Sequence, residues 1–198
     1  MPENSKSKLI LASASQRRLD LLNNMGFSPE KVIAAEIDET PLKAEKPLDY
    51  VKRVAKEKAI YVNQLIDNKQ YFILAADTIA SVGTRILGKP KDAEDAKRIL
   101  QLMSGRRHRV YTAICLITPD EEINVKTTMT YVKFKNINPK EMEEYISSEA
   151  WKGKAGAYGL QEDPGGFVIS INGSYSGVIG LPQYETKNLL SGMGFRQN

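Results

Sequence analysis

Apolar and polar positions alternate along this chain in short blocks that predict strands separated by helices. The first block, residues 9–12, is a continuous apolar run typical of a short buried strand. A hydroxyl-rich turn follows, with Ser13 or Ser15 as helix N-cap, and apolar positions then recur at helical spacing from Leu19. Because a helix N-terminus carries unpaired N–H groups and partial positive charge, this turn predicts a phosphate site; a plainly capped helix is the alternative.

The same reading continues to the C-terminus as strands alternating with helices, an α/β pattern. Strands are predicted over residues 31–36, 71–76, 110–117, 123–134, 167–171 and 175–180, and helices over residues 47–66, 93–103, 139–146 and from 182 onward. Residues 79–82 and 85–87 predict a hairpin closed by a glycine turn.

Composition fits one globular domain over residues 1–198, since 41% of the residues are hydrophobic and 26% are charged. The net charge of +4 suits an anionic ligand but is too mild to indicate nucleic acid. A single cysteine excludes an internal disulfide, and no apolar run reaches the ~20 residues of a membrane span. We therefore expect a cytoplasmic protein without membrane or nucleic-acid partners.

Carboxylates gather where the predicted strand 31–36 ends, at Glu36, Asp38 and Glu39. Hard oxygen ligands of this kind suit Mg²⁺ or Mn²⁺, although a solvated acidic turn is the commoner explanation of such residues taken alone. A second candidate is Asp77, which follows the apolar run 71–76. An aspartate at the carboxyl end of a buried strand is either a functional group or the cap of the next turn.

Basic residues supply further candidates. On helix 47–66 most charges lie off the apolar stripe, and one lysine is free to lean toward a ligand. Residues 83–90 nearly match a P-loop, but Pro90 replaces the hydroxyl residue, so only the cation Lys89 remains. The run 106–109 places three arginines around His108, and it fits a nucleic-acid patch, a phosphate clamp, a solvated loop or a subunit contact. His108 itself is a weak candidate base without a nucleophile motif.

The last third of the chain is rich in glycine between residues 153 and 166. Small residues at this density allow backbone to approach a flat ligand closely, and Gln161 offers both a donor and an acceptor to a base edge. A surface loop is the alternative.

Ordered motifs make the chain similar to the Maf family of nucleoside triphosphate pyrophosphatases over residues 8–195. They are Leu11-Ala-Ser-x-Ser-x-Arg-Arg18, Asp38-Glu39, Glu57-Lys58-Ala59, Ala76-Asp77-Thr78, Gly88-Lys89-Pro90, Ser104-Gly105, Lys154-Ala-Gly-Ala-Tyr-Gly159, Gln161, Gly173-Ser174-Tyr175 and Gly180-Leu181-Pro182. Each motif is weak alone, whereas their joint order and spacing are specific.

The resemblance implies a mixed, strongly bent sheet in two lobes with a central cleft, as in inosine triphosphate pyrophosphatases. It implies hydrolysis of a nucleoside triphosphate between the α and β phosphates, with Mg²⁺ or Mn²⁺ as cofactor. It also implies site roles. Asp77 is the expected proton acceptor, Arg17, Thr78 and Gln161 are the expected base-selecting residues, and Ser13, Arg17, Arg18, Glu39, Lys58 and Lys89 are expected to hold triphosphate and metal, with Glu39 and Asp77 as metal ligands.

The combination of base-selecting residues resembles that of the family branch that acts on dTTP and UTP. The alternatives are a 7-methyl-GTP pyrophosphatase and a cell-division regulator that acts by binding. A homodimer is a further possibility. The chain departs from the family pattern at Gln16 and at Glu162-Asp163, where two negative charges follow Gln161 and would repel a triphosphate unless they turn outward.

Overall fold

The computed structural model describes residues 7–67, 70–162 and 166–196. Its strands are β1 (Lys8–Ala12), β2 (Lys31–Val32), β3 (Tyr71–Val82), β4 (Arg85–Leu87), β5 (Arg107–Ile117), β6 (Ile123–Phe134) and β7 (Val168–Asn172). Its α-helices are α1 (Gln16–Asn24), α2 (Pro47–Leu65), α3 (Ala93–Met103), α4 (Pro139–Ser147), α5 (Tyr175–Ile179) and α6 (Gln183–Gly192). None of these helices is long and apolar enough to cross a membrane.

Within the described ranges the strands form one seven-stranded mixed sheet in the order β2-β1-β3-β5-β6-β7, with β4 paired to β3. Strand β1 is parallel to β2 and β3, and every other pairing is antiparallel. The predicted α/β class with a mixed sheet is confirmed, as is the predicted hairpin of β3 and β4.

Three buried clusters divide this sheet into two lobes. Near β1, one cluster packs α2 against one face of the sheet, and a second packs α1 and α6 against the other face. The third cluster lies at the opposite end and joins α3 and α4 to β4 and β6. Strands β3 and β5 run through all three clusters, so they connect the two lobes.

The predicted strand 31–36 is wrong in length, because β2 ends at Val32. Its neighbour β1 ends at Ala12, so the chain beyond Ile33 has no partner strand among the described residues. Ile33 and Ala35 still pack against the core on alternate positions, which explains why the sequence pattern imitates a longer strand.

The predicted end of the strand at Ala76 is also wrong, because β3 continues through Asp77 and Thr78 to Val82. Strand β5 pairs with β3 in unbroken register here, with Asp77 opposite Ala113 and Thr78 opposite Thr112. Both candidate residues therefore lie in the middle of a long central strand.

The predicted strand over residues 175–180 is wrong in type, since this segment forms the short helix α5. Ser174 caps it, because the serine hydroxyl accepts a hydrogen bond from the Gly177 N–H at 3.0 Å. Gly180 ends the helix at φ +137°, a conformation that favours glycine.

Residues 107–109 of the arginine-rich run do not form a loop, because β5 begins at Arg107. His108 points into the third cluster, is 1% exposed, and lies 2.8 Å from the Tyr158 hydroxyl through Nε2. Burial lowers the pKa of His108 to about 4, so the ring is neutral at pH 7. It is a core residue, and the weak assignment as a catalytic base is not supported by its position.

This histidine predicts a loss of stability in acid. Its pKa is lower in the folded chain than its ordinary value of 6.5, so the unfolded chain binds the extra proton as pH falls. We expect its share of the unfolding free energy to drop by about 2 kcal/mol between pH 7 and pH 5. Denaturant titrations of the wild type and His108→Gln at both pH values measure this share; equal pH dependence in the two proteins would contradict it.

Candidate active site

A gap in the pairing of β3 creates the site. Strand β1 pairs with β3 as far as Ala75, and β4 begins to pair at Ala80 on the same side. Residues 76–79 therefore have no described partner strand on that edge, whereas β5 pairs with them on the other edge. A cavity of about 960 Å³ opens at this gap, between the two lobes.

All nine residues expected to hold substrate or metal line this cavity: Ser13, Arg17, Arg18, Glu39, Lys58, Asp77, Thr78, Lys89 and Gln161. They come from segments far apart in the sequence, including α1, α2, β3 and the glycine-rich segment near residue 160. The fold thus brings the whole predicted set to one place. The location of these residues is a structural observation, and their roles stay predictions.

The turn before α1 is organised by Ser13 and Arg18. The Ser13 hydroxyl accepts hydrogen bonds from the Ser15 N–H at 3.2 Å and from Arg18 Nη1 at 3.2 Å. Ser15 occupies the N-cap position, but its side chain makes no capping bond, so the helix N-terminus faces the cavity without a side-chain cap. Arg18 also donates through Nε to the Gly180 carbonyl at 2.9 Å, which ties α1 to the end of α5.

A buried lysine joins the two candidate carboxylates. Lys58, on α2, is 7% exposed, and its Nζ lies 2.8 Å from Asp77 Oδ1 and 2.9 Å from Glu39 Oε1. Asp77 is only 4% exposed, and its Oδ2 has no hydrogen-bond partner among the described residues. Tyr50 fixes the Glu39 backbone by donating to its carbonyl at 2.8 Å. Asp77 Oδ2 is therefore one polar atom in this wall that is left to contact a ligand.

The glycine-rich segment forms the opposite wall, in two short 3₁₀ turns, Ala155–Ala157 and Leu160–Glu162. A Cβ at Gly159 would lie 3.1 Å from Cδ of Lys154 and 3.5 Å from Nη1 of Arg17, so glycine leaves these two side chains room beside the backbone. Lys154 and Tyr158 are buried and line the cavity, although the sequence suggested no role for them beyond the motif. Tyr158 packs against His108 on β5 and Phe134 on β6, contacts that the sequence alone does not reveal.

Comparison with known proteins covers nearly the whole chain. The family model for Maf-like proteins matches residues 8–193. The chain belongs to the Maf-like protein family. A dTTP/UTP pyrophosphatase from Agrobacterium fabrum is 47% identical over 97% of this chain and 95% of that protein. A nucleoside triphosphate pyrophosphatase from Ehrlichia ruminantium is 52% identical over 92% of this chain and 94% of that protein.

Another member of the Maf-like family, a dTTP/UTP pyrophosphatase from Wolbachia pipientis, is 47% identical over 96% of both chains. Among solved structures, a dITP/XTP pyrophosphatase from Mycobacterium abscessus overlaps 64% of this chain and 74% of that chain, at 18% identity and a TM-score of 0.41. The family assignment does not depend on that partial overlap.

For a Maf-like protein, a divalent cation is the expected cofactor, and two of the acidic residues fit it. The described residues contain no cluster of three or more potential metal-binding side chains. Glu36 and Asp38 do not line the cavity, and the Asp38 carboxylate accepts a hydrogen bond from the Thr40 N–H instead. Glu39 and Asp77 both line the cavity and are bridged by Lys58 Nζ, and their carboxylate oxygens are the donor type that Mg²⁺ uses where one or two carboxylates and substrate phosphates share the ion.

The departure from the Maf-like sequence pattern directly after Gln161 concerns Glu162 and Asp163. Asp163 and the side chain of Glu162 lie outside the described residues. Their effect on the choice of substrate stays a prediction.

Proposed function

We propose that this protein is a nucleoside triphosphate pyrophosphatase that hydrolyses dTTP and UTP to the nucleoside monophosphate and pyrophosphate. The observation that carries the proposal is a buried carboxylate, Asp77, with one free oxygen in a cavity lined by arginines and lysines. The names of relatives about half identical over nearly their whole length support the same activity.

Positive charge is the first requirement of this reaction, because a triphosphate repels an incoming nucleophile. Arg17, Arg18, Lys58 and Lys89 line the cavity and supply four positive charges to the phosphate oxygens. The N-terminus of α1 adds unpaired N–H groups. A divalent cation held by Glu39 and Asp77 would neutralise further charge and lower the pKa of bound water.

Activation of water is the second requirement. Asp77 accepts a proton from the water while the water oxygen forms a bond to phosphorus. The bond between that phosphorus and the oxygen bridging the α and β phosphates breaks. Lys58 holds Asp77 in place through Oδ1, so Oδ2, which has no hydrogen-bond partner among the described residues, is the oxygen left to contact the metal or to take the proton from the water. The carboxylate is fixed by a buried partner, which favours a reproducible approach of the nucleophile.

Selection of the base falls to Arg17, Thr78 and Gln161. All three line the cavity, and Gln161 lies on the glycine-rich wall, where close approach of a flat ring is possible. Its amide offers a donor and an acceptor, which match the edge of uracil or thymine. A cytoplasmic location and a homodimer stay predictions.

Pyrophosphate release from a panel of dTTP, UTP, CTP and 7-methyl-GTP, with Mg²⁺ or Mn²⁺, tests this function. We expect the highest kcat/KM for dTTP and UTP, and little turnover when the metal is omitted. A preference for 7-methyl-GTP would place the protein in the other branch of the family. Hydrolysis of none of the four would contradict the enzymatic proposal and favour a binding role.

A further inference from the structure

A chain of three hydrogen bonds controls the hydroxyl group of Thr78. Arg18 Nη2 lies 3.4 Å from Thr78 Oγ1, and Thr78 Oγ1 lies 3.0 Å from Thr112 Oγ1. Thr112 in turn lies 2.7 Å from the carbonyl oxygen of Gly177. The chain thus runs from α1 through β3 and β5 to α5.

The chemistry of these groups fixes the direction of every bond. A carbonyl oxygen only accepts, so the single hydroxyl proton of Thr112 points to Gly177. The Thr112 oxygen therefore accepts from Thr78, whose own proton is used in this bond. A guanidinium only donates, so Arg18 also leaves the Thr78 oxygen in an accepting role. Thr78, which lines the cavity, consequently has one lone pair left to accept a further hydrogen bond and no proton to offer.

Packing of α5 holds this arrangement in place. Thr78, Thr112 and Thr128 lie opposite one another on β3, β5 and β6, and Thr112 is 1% exposed. A side chain at Gly177 would meet the Thr128 hydroxyl at 3.0 Å, so the missing side chain allows α5 to sit directly on this row. The Gly177 carbonyl is thereby brought within reach of Thr112.

We propose that Thr112 is a positioning residue for specificity: it holds the Thr78 hydroxyl as an obligatory acceptor, and this acceptor selects bases with an N–H donor at ring position N3. Uracil and thymine carry a proton on N3, whereas cytosine presents a lone pair there. Two lone pairs facing each other exclude a hydrogen bond. The inference rests on the proposed function, because it requires a nucleotide base to contact Thr78.

Gln161 alone does not explain such a preference. Its amide can turn over and present either its oxygen or its nitrogen to the base, so it adapts to both pyrimidines. The Thr78 hydroxyl, by contrast, is prevented from turning by Thr112. Discrimination between UTP and CTP is therefore placed on Thr78 and on the residue that orients it.

The test compares kcat/KM for UTP and CTP in the wild type and in Thr112→Val. Valine has nearly the same shape but no hydroxyl, so the Thr78 proton is released and can be donated to cytosine N3. We expect the UTP-to-CTP ratio to fall about tenfold, the scale on which one buried hydrogen bond discriminates. Thr112→Ser retains a hydroxyl and is expected to restore the ratio.

Thr128→Val is the matched control, because it makes the same replacement in the same row beneath α5. Thr128 has no hydrogen bond to Thr78 in the described structure. The UTP-to-CTP ratio of kcat/KM in Thr128→Val should therefore equal that of the wild type. If Thr112→Val does not fold, Thr112→Ala takes its place in the comparison.

An unchanged ratio in a folded Thr112→Val or Thr112→Ala protein would overturn the inference, as would a wild type that does not distinguish UTP from CTP. A wild type that hydrolyses no nucleotide would instead contradict the proposed function, so the two failures are distinct.

Discussion

Asp77→Asn is expected to leave a folded protein whose kcat for UTP is about 10³-fold below that of the wild type, within the range for loss of a general base. Asparagine has the same shape, and its amide oxygen still accepts the hydrogen bond that Lys58 donates. What is lost is the basic carboxylate oxygen that we propose receives the proton from water. Pyrophosphate release under saturating UTP measures the effect.

Asp120→Asn provides a matched control for this substitution, since Asp120 is exposed in the turn between β5 and β6. We expect its kcat to equal that of the wild type. Circular dichroism and thermal unfolding should show that both variants are folded. If Asp77→Asn retained more than a tenth of the wild-type kcat, another group would have to activate the water. Glu39, the other carboxylate paired with Lys58, would be the candidate.

Helix boundaries that the sequence predicted correctly have local causes in the structure. Asp92 caps α3 by accepting from the Asp95 N–H, and Asn138 and Glu141 form a capping box on α4. The apolar stripe of α2 also predicted its buried face, and one lysine outside that stripe, Lys58, does reach the cavity. Each of these features depends on residues within a few positions of one another, so the sequence contains the necessary information.

Features that depend on a distant partner could not be predicted in this way. Asp77 lies inside β3 because β5 continues to pair with it, and it faces the cavity because β1 stops before it and β4 starts after it. The hydrogen bond between Thr112 and Gly177 likewise depends on the register of β5 and on the position of α5. The candidate site residues came from the family resemblance, whereas their geometry required the fold.

Lys58→Met is the second substitution with a large expected effect, because it removes the cation between Asp77 and Glu39. The buried Asp77 carboxylate would lose its partner, a change that lowers the free energy of unfolding by about 3 kcal/mol when a buried ion pair is broken. The triphosphate would lose a cation as well, and we expect kcat/KM for UTP to fall about 100-fold or more. Lys56→Met, an exposed position on the same helix, should change neither quantity appreciably.

Combining Lys58→Met with Asp77→Asn separates the two consequences. The double variant contains no uncompensated charge at position 77, so most of the lost stability should return, although activity should remain at least as low as in Asp77→Asn. Urea unfolding and pyrophosphate release on the same four proteins measure both quantities. If the double variant were as unstable as Lys58→Met, the lost free energy of unfolding would come from packing of the lysine stem against the core. The return of stability without activity would indicate that the ion pair of Lys58 with Asp77 is maintained for the reaction, since a neutral pair is sufficient for the fold.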